Sequence, residues 1–242
     1  MLPAFSLLII NDFMKILGLI GGISWVSTID YYRMINEGIN KKLGDLNFAE
    51  CMIYSFNYQD IKRNNDAEDW DTTLKMLTKA ALNMKDGGAS AIVLCANTMH
   101  MIADQLEQNV QLPVIHIATA TANAISARGF RKIGLLGTKF TMERPFFRDK
   151  LTNQNIEVII PDDKDRDFIH YTIFEELGRN LFKPGTKQFY LDVMNKLKDR
   201  GAEGIIMGCT EIPLLISQDD INIPLFDTAQ IHSNAAVEFA LG

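Results

Sequence analysis

The sequence predicts an α/β protein of two pseudo-symmetric three-layer domains, each with a mostly parallel sheet, and an active site in the cleft between them. Short runs rich in Ile, Val and Leu alternate with longer segments of helical period, the pattern of parallel strands covered on both faces by helices. The same unit also occurs twice: KILGLIGG at 15–22 is echoed by RKIGLLGT at 131–138, GASAIVLC at 88–95 by GAEGIIMGC at 201–209, and LPVIH at 112–116 by IPLFD at 223–227. At 242 residues, 47% hydrophobic and 22% charged, the chain can build two small cores without a crosslink.

Taken in order, strands are expected at Ile16–Ile20, Cys51–Phe56, Ala91–Cys95, Val114–Ile117, Ile133–Leu136, Ile156–Ile160, Ile205–Met207 and Leu225–Asp227. Helices are expected at Ser27–Leu43, Asp71–Asp86, Thr119–Ala127, Glu143–Asn153, Asp165–Arg179 and Lys187–Asp199. Several carry glycine stop signals: Gly87-Gly88 after Asp86, Gly129 after Arg128, Gly201 after Arg200. The last strand and helix follow the end of the second repeat, so by repeat logic they return to the first lobe. The expected division is a discontinuous first domain of residues 14–113 plus 224–242 and a second of 114–223, hinged near Pro113 and Pro224.

The net charge of −6 is spread along the chain, and no Lys/Arg block exists to neutralise a run of phosphates, which argues against a nucleic-acid partner. The apolar run Phe5–Ile10 lacks the basic leader and small-residue cleavage site of a signal peptide. Because Met14 is followed at once by the first strand, residues 1–13 read as an N-terminal extension. Three cysteines are an odd number in such a chain, which points to a reducing cytoplasm and no membrane association.

Two of those cysteines carry the chemical reading. Cys95 and Cys209 each stand where a buried strand gives way to a polar turn and a helix start, and they fall 77 and 75 residues after Gly18 and Gly134. Ligands of open α/β sheets bind beyond the carboxyl ends of the strands. Unpaired amides at a helix start would depress a thiol below its free pKa of about 8.5. Asn97-Thr98 and Thr210-Glu211 supply donors for a substrate carboxylate. A thiol on each side of a cleft provides a base for one face of an α-carbon and an acid for the other. The resulting enediolate can be held by hydroxyls and amides, so no cofactor is required. Against this stand an inert core thiol, which is the reading for Cys51, a disulfide between Cys95 and Cys209, and a metal site on Cys95 and His100, which lacks further ligands.

CANTMH at 95–100 and GCTEI at 208–212, with GGISW at 21–25, LGT at 136–138 and FDT at 226–228, resemble the aspartate/glutamate racemase superfamily, most closely its aspartate racemase and broad-specificity amino-acid racemase branch. The resemblance runs from Met14 to the C-terminus. It implies catalysis without pyridoxal phosphate or metal, an amino-acid substrate and a homodimer. It also implies that Cys95 and Cys209 are the two proton carriers, that Ser24, Asn97, Thr98, Thr138 and Thr210 hold the α-carboxylate and ammonium, and that Glu211 tunes Cys209. His100 is assigned a structural hydrogen bond.

Aspartate-selective members carry an arginine in the loop after the second strand and a lysine after an Ile-Tyr-Glu stretch. Here the first loop has no arginine until Arg63, and Gly178 stands where the lysine would. Arg179 and Lys187 are the substitutes for a side-chain anchor, while Asn57 and Gln59 suit a neutral polar side chain. Two other readings stay open: a cis–trans isomerase or decarboxylase of small dicarboxylates, and a non-catalytic amino-acid binder.

Overall fold

The computed structural model describes residues 14–242, so the expected extension at 1–13 lies outside the described residues. Eight strands form: β1 Leu17–Gly21, β2 Cys51–Ser55, β3 Ala91–Leu94, β4 Val114–Ile115, β5 Lys132–Gly137, β6 Glu157–Ile159, β7 Gly204–Gly208 and β8 Leu225–Asp227. The helices are α1 Trp25–Leu43, α2 Tyr58–Asp66, α3 Trp70–Asp86, α4 Ala103–Val110, α5 Ile117–Ala127, α6 Lys139–Glu143, α7 Pro145–Thr152, α8 Asp163–Glu175, α9 Pro184–Asp199, α10 Ile212–Leu215 and α11 Thr228–Leu241. A 3-10 helix, Asn97–Ile102, precedes α4. The helix expected at Glu143–Asn153 starts two residues later, at Pro145, which holds Arg144 in extended backbone, and Glu143 instead ends the short helix α6 before it.

The strands make two four-stranded sheets, ordered β2-β1-β3-β4 and β6-β5-β7-β8, with every pairing parallel. Alternation along β1 and β3 feeds two cores. Ile20, Ile92 and Leu94 pack with Leu77 of α3 and Leu106 of α4, whereas Leu17, Leu19, Ala91 and Val93 pack with Tyr31 and Ile35 of α1. The second sheet is buried in one larger core shared by α5, α7, α8 and α9.

The fourth strands correct the expected boundaries. Val114–Ile115, placed in the second domain by sequence, joins the first sheet beside β3, and Leu225–Asp227, placed in the first, joins the second sheet beside β7. Each completes a short crossover from the preceding strand, and such units lie side by side in one sheet. The chain changes lobes after these strands rather than at the prolines before them. It does so at His116 and Asp227, which cap α5 and α11 by accepting the amides of Ala118 and Ala229. Helix α5 then enters the second core through Ile117, Ala122 and Ile125, and α11 enters the first through Ala229, Ala236, Val237 and Ala240.

Candidate active site

Both sheets present the carboxyl ends of their strands to a cleft of about 660 Å³. The first lobe contributes Ser24, Tyr58, Lys62, Asp66, Ala96, Asn97 and Thr98. The second contributes Thr138, Phe140, His170, Glu175, Cys209, Thr210 and Glu211. Ser24 and Thr138 stand at corresponding places, each immediately before the helix that follows the first strand of its sheet. The Thr138 hydroxyl accepts the Thr141 amide at 3.3 Å.

Cys209 lies just beyond β7, partly buried, and its Sγ donates to Glu211 Oε2 at 2.8 Å. The same oxygen accepts from Thr210 Oγ1 at 2.9 Å, and that hydroxyl lies 2.6 Å from Ser27 Oγ on α1, across the cleft. A chain of four polar groups therefore joins the lobes beneath the thiol. The amides of Thr210 and Glu211 favour a thiolate, as the sequence reading supposed, but they are outweighed. Burial first, then the Glu211 charge and its hydrogen bond, push the Cys209 thiol well above its ordinary value.

Cys95 is not in the cleft. Its side chain continues the inward alternation of Ala91 and Val93, is 1% exposed, and packs among Leu19, Tyr31 and Val93 on the α1 side of the sheet. Its Sγ lies 3.8 Å from Val93 O, and burial drives its pKa up, not down. The neighbouring Ala96 faces the cleft instead. Sheet register accounts for this. Ile20 of β1 pairs with Leu94, and its counterpart Leu136 of β5 pairs with Met207, so two residues further on Ala96 corresponds to Cys209 and Cys95 to Gly208. A Cβ at Gly208 would lie 2.7 Å from Leu136 O, so the second lobe has no room for a side chain where the first carries Cys95.

Two further expected contacts are absent from the cleft. Lys187, in the first turn of α9, is held by Asp220 at 2.7 Å, and Gln59 is exposed on α2 outside the cleft wall. Arg179 is likewise spent on Glu175 at 2.7 Å. Asn97 is 6% exposed. Its Nδ2 donates to Thr228 Oγ1 at 3.2 Å, while its Oδ1 has no protein partner. His100 is buried behind this wall with Nδ1 3.1 Å from Ala96 O, a structural contact.

Sequence reasoning missed Ser27, Tyr58 and His170. Ser27 had a signal, being two residues past the GGISW turn on a helix that starts at the cleft. Tyr58 and His170 had none, because only folding brings α2 and α8 to the strand ends. Burial, followed by the charges of Cys209 and Glu211, pushes the Tyr58 phenol up to about 12. His170 accepts the Lys139 amide at 3.2 Å through Nδ1, and burial holds its pKa below the usual imidazole value. Among the described residues, no group of three or more His, Cys, Asp or Glu is placed to hold a metal, and no helix is long and apolar enough to cross a membrane.

Comparison with known proteins agrees with this architecture. A candidate Asp/Glu racemase from Yersinia pestis is 47% identical, with a TM-score of 0.90 over 95% of this chain and 100% of that one. An aspartate racemase homologue from Pyrococcus horikoshii OT3 is 36% identical, with a TM-score of 0.83 over 94% and 99%. The broad-specificity amino-acid racemase of Bacillus subtilis (strain 168) is 23% identical over 230 residues, 91% of this chain and 96% of that protein. The Asp/Glu/Hydantoin racemase family matches residues 20–236, and the chain belongs to that family.

Proposed function

We propose that this protein is a cofactor-independent amino-acid racemase in which Cys209 moves the proton on the α-carbon and Glu211 orients and deprotonates the thiol. The observation that carries this reading is the 2.8 Å bond from Cys209 Sγ to Glu211 at the floor of a cleft walled by hydroxyls and an amide. Ser24, Thr98, Thr138 and Thr210 donate to the α-carboxylate, where the charge of the enediolate develops. Asn97 Oδ1, buried without a protein partner, accepts from the ammonium.

Charge in the cleft bears on the side chain of the substrate. Lys62 in the wall is paired with Asp66 at 2.5 Å and Glu175 with Arg179 at 2.7 Å, which leaves the carboxylate of Glu211 beside the thiol. A second carboxylate therefore meets the charge of Glu211 and no unpaired cation among the lining residues, and the reading favours amino acids with neutral or cationic side chains over aspartate. Exposed Trp25, Ile29 and Tyr32 on one face of α1 support a homodimer, which sedimentation would test.

The test is incubation of the reduced protein with separate L- and D-amino acids in deuterated water, with α-hydrogen loss followed by NMR and configuration by chiral chromatography. Glutamine and lysine are expected to react faster than aspartate. A folded, reduced protein that neither exchanges nor inverts any member of a broad panel overturns the reading. A second reading, decarboxylation of a small dicarboxylate with protonation from one side, is favoured by the lone thiol in the cleft. Carbon dioxide release from substituted malonates would establish it, and the charge of Glu211 argues against it.

A further inference from the structure

We propose that proton transfer in this cleft runs on one face of the α-carbon, that of Cys209, so that the α-hydrogen exchanges with retention many times for each inversion. The inference rests on the racemase reading above and concerns its stereochemical course. Sheet register places a methyl group, Ala96, at the position corresponding to the thiol of Cys209.

The remaining first-lobe groups offer no substitute base. Ser24 and Thr98 are alcohols and Asn97 is an amide, none of which accepts a proton near neutrality. Cys95 is sealed in the core behind the strand. Tyr58 is kept as the phenol by burial and by the charges of Cys209 and Glu211. Lys62 and Asp66 neutralise each other. His170 and Glu175 belong to α8, in the same lobe as Cys209, where His170 accepts the Lys139 amide and stacks edge-on against Phe174, and Glu175 holds Arg179.

The cycle balances with Cys209 alone. Its thiol proton passes to Glu211, the thiolate takes the α-proton, and the C–H electron pair moves onto the carboxylate as an enediolate. The new thiol exchanges its proton with solvent and returns one to the same face. As the C–H bond re-forms, the thiolate is restored. Inversion requires water to protonate the enediolate past Ala96.

The experiment measures initial rates of deuterium incorporation and of inversion separately for each enantiomer of a reacting amino acid. Exchange is expected to exceed inversion at least tenfold, with label in the unconverted enantiomer. Equal rates, with label confined to the inverted product, overturn the inference and leave the racemase reading standing. No exchange with any substrate overturns both. Ala96→Cys is expected to raise inversion relative to exchange about tenfold by supplying the second thiol. A soluble Ala96→Cys protein whose ratio is unchanged also overturns the inference, and the wild-type measurement decides without the variant.

Discussion

Ala96 and Cys209 occupy the same place in the two halves of the fold, each two residues beyond the strand position that pairs with Ile20 or Leu136. The two lobes are thus alike in backbone and unlike in chemistry at the point where they face the cleft.

Cys209 and Cys95 should therefore respond oppositely to serine. Cys209→Ser is expected to lower α-hydrogen exchange by at least about 10³-fold with little change in melting temperature. Cys95→Ser puts a hydroxyl into an apolar core and should cost about 1–3 kcal/mol of stability while keeping most of the activity. Paired calorimetry and exchange assays would check this, and an inactive yet equally stable Cys95→Ser protein would contradict it.

Glu211→Gln removes the charge that helps raise the Cys209 pKa and leaves an amide oxygen as the acceptor. The thiol should then ionise at lower pH, since the carboxylate charge that opposes the thiolate is gone, while turnover falls about 10²-fold for want of a base. Alkylation rate of Cys209 against pH reads the first effect and isotope exchange the second. An unshifted alkylation profile would count against the contact.

Ser27 reaches Glu211 through Thr210. Losing one such hydrogen bond, worth about 1 kcal/mol, should slow Ser27→Ala about fivefold and alter the pH profile, and Ser27→Thr should restore both. Loss of stability with an unchanged profile would make Ser27 a strut between the lobes and nothing more.

Acid should unfold the protein through three histidines. His100 packs edge-on against His116 and His232, with ring centroids 4.9 and 5.2 Å apart, and Tyr31 Oη lies 2.8 Å from His232 Nδ1. Burial lowers their pKa values to about 4, 2 and 3 for His100, His116 and His232. Since these lie below the unfolded value of about 6.5, the stability they confer is present above pH 6.5 and lost as pH falls toward the folded values. Each histidine should cost about 1.4 kcal/mol per pH unit within that window. Melting temperature followed from pH 7 to 4.5 would measure the slope, and a flat profile would refute it.

Most of the fold was legible because strands and helices announce themselves by period, and all eight expected strands form. Cys209, Glu211, Thr138, Asn97 and Thr98 were also legible, each being tied to a strand end. Cys95 misled because its motif differs from that of Cys209 by one residue: eight residues, GASAIVLC, were matched to nine, GAEGIIMGC. In a strand a shift of one turns a side chain to the opposite face. Near-equal spacing from Gly18 and Gly134 hid that shift, which only the hydrogen-bonded register exposes. The fourth strands misled for a different reason, since a proline marks where a strand begins and not which sheet it joins.

The exchange of α5 and α11 between lobes bears on how the molecule comes into being. The α1 side of the first sheet is closed by Ala229, Ala236, Val237 and Ala240, which follow the whole second sheet in the sequence, and Lys15 donates its amide to Ala240 O at 2.9 Å. The first half therefore lacks its closing helix until the second half has been made. Fragments cut after 113 or 223 should fail to fold alone yet complement each other when coexpressed, and the intact chain should melt in one cooperative step rather than lobe by lobe.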